Sequence, residues 1–460
     1  MTTYILRRML LMIPTLLGIT IVVFSVMAAA PGGLSAQALV EGQNLDPEAK
    51  QAMEDYYNRI YGLDQPAPIQ YLRWLNNISP IGFTFDDEGE IDSFSLTKGS
   101  DLGTSFRYGR PVADLLEERI PITLLLNVLS LPIIYIIAIS VGVRAATERS
   151  KPFDVGSNIF MLFLWAVPTM LAGVLLIGFF GSEEYWRWFP TAGLNKREAL
   201  DMPFMPHWSS VGDILLLFFI TALLMAAFIA MSLKGNEKLR AGIMAATGAV
   251  LGILMANNLP GDEMTWVYPV LIICVALVCG GIGYMDYRSF RTAGMGFIGM
   301  CIGIGIATTM MQGEFVRGFL LDRLWHLILP VFCLSYGGFA FLSRLTRGAV
   351  LENLLSDYAR TARAKGVFED HVLWRHVFRN SLLPLITLMA GLLPGLIGGS
   401  VIIEALFSIE GMGKLAIEAV YARDRELILS LTMISGLLTL AGYLLADLCY
   451  AIADPRVSYD

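Results

Sequence analysis

Ile214-Leu-Leu-Leu-Phe-Phe-Ile-Thr-Ala-Leu-Leu-Met-Ala-Ala-Phe-Ile-Ala-Met-Ser-Leu233 carries no charged side chain from end to end. A helix rises about 1.5 Å per residue, so about 20 apolar residues cross the ~30 Å hydrocarbon core of a bilayer. Working outward from this run, further stretches read the same way at roughly 9–29, 121–143, 156–181, 241–257, 266–285, 294–311, 325–343, 383–403 and 428–450. Those at 241–257 and 294–311 are the weakest, being short and rich in Gly, Ala and Met. Barrel strands would be shorter and would alternate polar with apolar residues. The sequence therefore predicts an all-α polytopic membrane protein with ten spans. Composition agrees, at 55% hydrophobic and only 16% charged residues, far more apolar than a soluble domain needs.

Charge placement orients the spans. With the N-terminus inside, the short inner segments hold 18 of the 33 basic residues against 10 of the 40 acidic ones, as the positive-inside rule expects. Removing one span would place Lys234–Arg240 or Arg344–Arg379 outside. The net charge of −7 averages two opposite faces and gives no sign of nucleic-acid binding. Arg7-Arg8, an apolar run and Ala28-Ala29-Ala30 resemble a secretory signal, but the run is too long for one, and a retained first helix is expected. With this count of spans both termini are expected on the inner, cytoplasmic side.

The first outer region, 30–120, begins a helix at Asp46-Pro47-Glu48 and stops it at Gly62. Asp64-Gln-Pro-Ala-Pro68 reads as extended and Phe83–Gly99 as an acidic loop. The region is too small and charged for a core of its own, so it should pack on the bundle as a lid or docking surface. Cys274, Cys279, Cys301, Cys333 and Cys449 all fall in spans and read as buried packing residues, not as a disulfide framework or zinc site.

Several chemistries are missing from the sequence. No G-x-x-x-x-G-K-[ST] cradle, H-E-x-x-H or G-x-S-x-G occurs. His371 and His376 are five apart and do not share a helical face. Mid-membrane ionisable residues, which ion-coupled transporters use, are almost absent. Asp447 is the exception, read as structural beside Tyr450 and Arg456. Energy for any transport would then come from a partner.

Between the spans at 325–343 and 383–403 lies Asp357-Tyr-Ala-Arg-Thr-Ala-Arg-Ala-Lys-Gly366. Asp357 can cap a helix, Thr361, Ala362 and Ala364 suit its interior, and Gly366 ends it. A second short helix is expected over 369–379, with Pro384 at the start of the next span. This basic helix–Gly–helix elbow suits docking. The alternative is a helix lying on anionic lipid.

With Arg375-His-Val-Phe-Arg-Asn-Ser-Leu-Leu-Pro384, the segment resembles the inner loop of ABC-importer permeases of the dipeptide/oligopeptide/nickel branch. Glu404-Ala-Leu-Phe-Ser-Ile-Glu-Gly-Met-Gly413, Ala422-Arg423-Asp424, Asp447-Leu-Cys-Tyr450 with Asp454-Pro455-Arg456, Asp101–Pro111, Asp64–Tyr71 and Tyr4–Arg8 extend the likeness over both ends of the chain.

The resemblance implies a type I importer transmembrane domain with six core helices. Asp357, Arg360, Thr361, Ala362, Arg363, Ala364, Lys365 and Gly366, within a loop at 344–382, would form the coupling helix seated in a separate ATPase subunit. Glu404, Gly411, Gly413, Asp424 and Asp447 are candidate structural or gating residues. ATP and magnesium would bind the ATPase, and this chain would hold no cofactor or metal and be no enzyme. The implied partners are a second, paralogous permease, one or two cytoplasmic ATPase subunits and a periplasmic or lipid-anchored binding protein delivering peptides or similar small solutes.

Two features depart from the family pattern. The generic motif begins Glu-Ala-Ala, where this chain has Arg360, Thr361 and Ala362, so an acidic anchor does not carry over. The expected organisation is a first helix at 1–29, the outer region at 30–120, core helices two and three at 121–210, an inserted block of about four helices at 211–320, and core helices four to six at 321–460. The block is the second departure. An ion-coupled secondary transporter or a non-transporting scaffold are the rival readings. The first lacks buried ionisable residues and repeat-related broken helices, and the second has no need of a coupling loop.

Overall fold

The computed structural model describes residues 2–30, 46–61, 63–85, 91–182, 185–208, 211–257, 267–286, 288–311 and 315–453. The chain forms two compact units, residues 1–172 with 330–460, and residues 173–329. Among the described residues, eight helices are long and apolar enough to cross a membrane, and a bent pair makes a ninth.

The first unit contains α1 (Thr2–Ala29), α2 (Pro47–Tyr61), α3 (Ala67–Ile78), a hairpin of β1 (Gly82–Phe85) and β2 (Ile91–Ser95), α4 (Val112–Thr147) and α5 (Pro152–Ala166). The helix α6 (Thr169–Gly181) follows directly. The second unit holds a 3-10 turn at Arg197–Asp201, the two-residue strands β3 (His207–Trp208) and β4 (Phe315–Val316), and α7 (Val211–Lys234), α8 (Glu237–Ala256), α9 (Val267–Tyr284) and α10 (Arg288–Met310). The long α11 (Gly318–Leu354) leads to α12 (Asp357–Ala364), α13 (Glu369–His371), a π-helical stretch (Val372–Val377), α14 (Phe378–Leu406), α15 (Met412–Tyr421) and α16 (Arg425–Ala453).

In the first unit, α4 acts as a spine. Its start, Val112, Leu115 and Leu116, packs on Met412, Leu415 and Ala419 of α15 and on Leu427 and Leu431 of α16. Its middle, Ile134 and Ala138, meets Tyr336, Phe339 and Ala340 of α11 and Leu385 of α14. Its end, Val143 and Ala146, meets Val350, Ala359, Ala362, Val372 and Val377. In lipid such contacts gain van der Waals packing, and little hydrophobic driving force brings helix to helix. Polar links inside the bundle therefore carry much of its specificity.

Several sequence expectations are corrected. The span expected at 156–181 is the pair α5–α6, bent by 92°. Pro168 cannot donate to the helix and pushes Val167 out of the helical region, to φ −78° and ψ 121°. The freed Val167 carbonyl accepts the Tyr336 hydroxyl at 2.7 Å. The extended reading of 64–68 gives way to α3, which starts at Ala67 with Pro68 in its first turn. The expected loop at 83–99 is partly a hairpin, where Thr84 and Ser93 hydroxyls pair across the strands at 2.8 Å; residues 86–90 and Gly62 lie outside the described residues. Cys279 and Cys333 are buried as expected, but Cys274 and Cys301 are exposed, on the outward, apolar sides of α9 and α10; the Cys449 side chain lies outside those described. The run 383–403 is helical within α14, and the side chains of 389–400 also lie outside those described.

Within the region after α1, α3 packs on the first unit's helices. Trp74 of α3 is buried with Phe24 of α1 and Leu429 of α16, and Tyr71 meets Thr20 through their hydroxyls at 2.9 Å.

Candidate functional site

The elbow at 357–379 is built on the end of α4. Ser356, not Asp357, occupies the N-cap of α12, with extended backbone at ψ 157°. Asp357 sits in the first turn with its side chain in solvent, 3.6 Å from Arg360, where its charge favours the helix N-terminus. Ala359 and Ala362 are buried because only small side chains fit where α12 crosses the cluster below. The helix ends in a Schellman motif. Val367 N–H donates to Ala362 O at 3.3 Å and Gly366 N–H to Arg363 O at 2.9 Å, and Gly366 has φ +75°. The second arm is not a separate helix, because α13, the π-helical stretch and α14 run on without a break. Pro384 therefore lies inside α14. Arg363 ties the arms together through Glu369 at 2.6 Å.

The outward face of this elbow is mixed. Arg360, Thr361, Arg363, Ala364, Lys365 and Gly366 are exposed. Phe368 is 83% exposed, and Trp374 is half-exposed. Aromatic and arginine side chains together are what protein interfaces favour. Phe368 was not singled out from the sequence. Its signal was a large apolar residue two positions after a helix-ending Gly.

A second cluster joins residues far apart in sequence. Glu404, at the end of α14, is fully buried. Its Oε1 accepts the Thr123 hydroxyl at 2.9 Å and its Oε2 accepts Lys414 N–H at 2.9 Å. Thr123 in turn accepts Met412 N–H at 2.8 Å. The carboxylate thus caps the first turn of α15, where free N–H groups and the helix dipole favour negative charge. Gly411 is required here, because a Cβ would fall 2.5 Å from the Glu404 carboxyl carbon. Gly413 lies against the Val401 backbone in the same turn. At the rim, Glu410 takes Arg119 and Lys414, each at 2.5 Å.

Asp424, also fully buried, caps α16 through Leu427 N–H at 3.2 Å. It also holds the 101–111 segment by accepting Ser105 Oγ at 2.5 Å and Arg107 N–H at 3.2 Å. Burial pushes its carboxyl above the usual carboxylate range, while these donors pull it back. Beside it, Arg425 binds Gln70 at 2.8 Å and pairs with Glu426, and Tyr108 bonds Glu418. Asp424→Ala should cost about 2 kcal/mol, one lost helix cap plus an orphaned serine hydroxyl. Thermal unfolding of the detergent-purified protein would measure it, with faster proteolysis at 101–111.

Asp447 pairs with Arg8 at 2.7 Å, tying α16 to α1. The partners expected from the sequence, Tyr450 and Arg456, have side chains outside those described. The sequence-derived residues thus fall into three places: the elbow, the Glu404–Asp424 corner and the α1–α16 pair. Among the described residues no His, Cys, Asp and Glu cluster suits a metal ion.

Comparison with known proteins adds to this geometry. Residues 248–459 match the family described as "Binding-protein-dependent transport system inner membrane component", and residues 1–127 match the N-terminal component of the same system. Over the full length of both chains, the sequence is 30% identical to the oligopeptide transport system permease protein AppB of Bacillus subtilis (strain 168). It is 25% identical to the inner membrane ABC transporter permease protein YejB of Escherichia coli O157:H7, again over all of both chains. It is 25% identical to the peptidoglycan transport system permease protein YejB of Agrobacterium fabrum, over 100% of this chain and 99% of that one.

Proposed function

The chain belongs to the family of binding-protein-dependent transport system inner membrane components, and from that premise we propose that it forms half the pore of an ATP-driven importer for short peptides. A multi-pass permease of this family works in a complex with an ATPase and a substrate-binding protein. The finer reading gives it a separate cytoplasmic ATPase that holds ATP and magnesium, no cofactor of its own, and a paralogous permease as the other half of the pore. Both termini face the cytoplasm, in keeping with the basic residues of the segments between spans. The peptide substrate rests on the names of the relatives.

The observation that carries the coupling role is the elbow. A rigidly seated short helix with a sharp Gly366 stop presents arginines and Phe368 outward on a core shared by α4, α11 and α14. Tilting such a piece moves the spans bonded to it. Glu404, Gly411, Gly413, Asp424 and Asp447 hold the spans in register, and none is assigned to chemistry.

The test is co-purification with the ATPase from membranes. Gly366→Val with Ala364→Leu forces a β-branched residue toward φ +75° and enlarges the outward face without entering the core. The recovered ATPase should fall at least about tenfold, equivalent to about 1.4 kcal/mol, while permease levels hold. Phe368→Asp should weaken it in the same direction. Full ATPase recovery and transport in both variants would refute the docking assignment.

A further inference from the structure

The second unit contains a repeat that its functional reading does not require. In α8 the buried side runs Arg240, Met244, Gly248, Gly252, Ala256. In α10 it runs Arg291, Met295, Gly299, Gly303, Ala307, the same residue at each step, fifty-one positions on. All ten are buried.

The contacts repeat as well, crosswise. A Cβ on Gly248 would lie 2.7 Å from Val275 O and 2.8 Å from Cys279 Cβ, both on α9. A Cβ on Gly299 would lie 2.8 Å from Leu224 O and 3.0 Å from Phe228 Cβ, both on α7. A Cβ on Gly252 would lie 2.8 Å from Ile272 Cα, and one on Gly303 would lie 2.7 Å from Thr221 Cα. Leu224 and Val275, Phe228 and Cys279, and Thr221 and Ile272 are each separated by the same fifty-one residues.

The arginines obey the same rule. Arg240 Nε donates to Gly283 O at 3.4 Å and Nη1 to Gly235 O at 2.6 Å. Arg291 Nε donates to Ser232 Oγ at 3.2 Å, and its Nη1 to Met285 O at 2.8 Å and Asp286 O at 3.4 Å. Ser232 corresponds to Gly283, and Gly235 to Asp286. Each buried cation meets the carbonyl end of a neighbouring helix, where the dipole is negative.

We propose that residues 211–310 are a tandem duplication of one membrane hairpin, each copy being the other's docking partner about a pseudo-twofold axis. Unrelated helices could share a small-residue stripe, but not also a common offset in their arginine caps and in the backbone atoms that the glycines face. Closure of this kind is isologous, so either hairpin has both halves of the interface.

The test is made in the full chain. One variant replaces residues 216–257 with a copy of 267–308, and the reciprocal variant does the converse. Both should accumulate as monomer in the membrane within about twofold of the natural chain, since the glycine faces and the capping arginines are kept and only the residues facing the glycines, such as Phe228 and Cys279, change. Loss of either would overturn the proposal. A smaller exchange, Phe228→Cys with Cys279→Phe, moves the phenyl ring from the Gly299 contact to the Gly248 contact. It should leave the melting temperature unchanged, and a marked fall would equally overturn the equivalence.

Discussion

Arg347→Met is expected to destabilise the purified protein by about 3–5 kcal/mol, the usual cost of leaving a buried charge without its partner. Its partner, Asp154 near the start of α5, has a side chain only 4% exposed. Arg347 of α11 reaches it with two donors, at 2.5 and 2.7 Å. Ser150 N–H at 2.9 Å and the Asn158 amide at 2.8 Å satisfy the rest of the carboxylate. A methionine fills much of the same space and removes only the charge and the fork of donors. The double variant Arg347→Met, Asp154→Leu should recover part of the loss, because it removes the orphaned carboxylate but leaves the Ser150 N–H without its acceptor. Thermal unfolding in detergent would read both. Equal instability of single and double variants would show that packing, not the orphaned carboxylate, sets the cost.

Glu404→Ala should cost about 3 kcal/mol, from a cavity plus donors left without acceptors. The glutamate side chain links two distant pieces of chain, Thr123 of α4 and the first turn of α15. Glu404→Gln should cost clearly less. It keeps the volume and one acceptor, and the Thr123 hydroxyl can rotate to receive the new amide. The order Ala worse than Gln is the informative result, and melting temperatures settle it. If both variants unfold at the same temperature as the natural protein, Glu404 is not the cap of α15.

The spans were legible because an apolar run of bilayer length has few other uses, and the run at 214–233 needed no further support. The elbow was legible through Gly366, whose φ > 0 conformation a side chain resists. What escaped depended on distance in the sequence. Asp154 and Arg347 look like ordinary basic-segment charges until α5 and α11 meet, and Asp447 could not be matched to Arg8 at the opposite end of the chain. The hairpin of β1 and β2 hid because its strands are short and the sequence between them is acidic. The break at Pro168 was written in the sequence, but the run is apolar on both sides of it, so hydropathy alone joins the pieces. The duplication shows as few identities, spaced four apart, which become conspicuous only when the buried faces of α8 and α10 are compared.

The π-helical stretch at Val372–Val377 turns chain length into angle. One residue of helix is worth about 100° of rotation and about 1.5 Å of advance, and a π turn stores one such residue without ending the helix. The elbow and the span of α14 are therefore in phase with each other only because this wide turn is present. Closing it to ordinary α-helix would swing Phe368 and the arginines of α12 around the axis of α14 by more than a quarter of a circle. That joint makes the elbow's aim a matter of counting residues, and an insertion or deletion there would redirect it more than any single side-chain change.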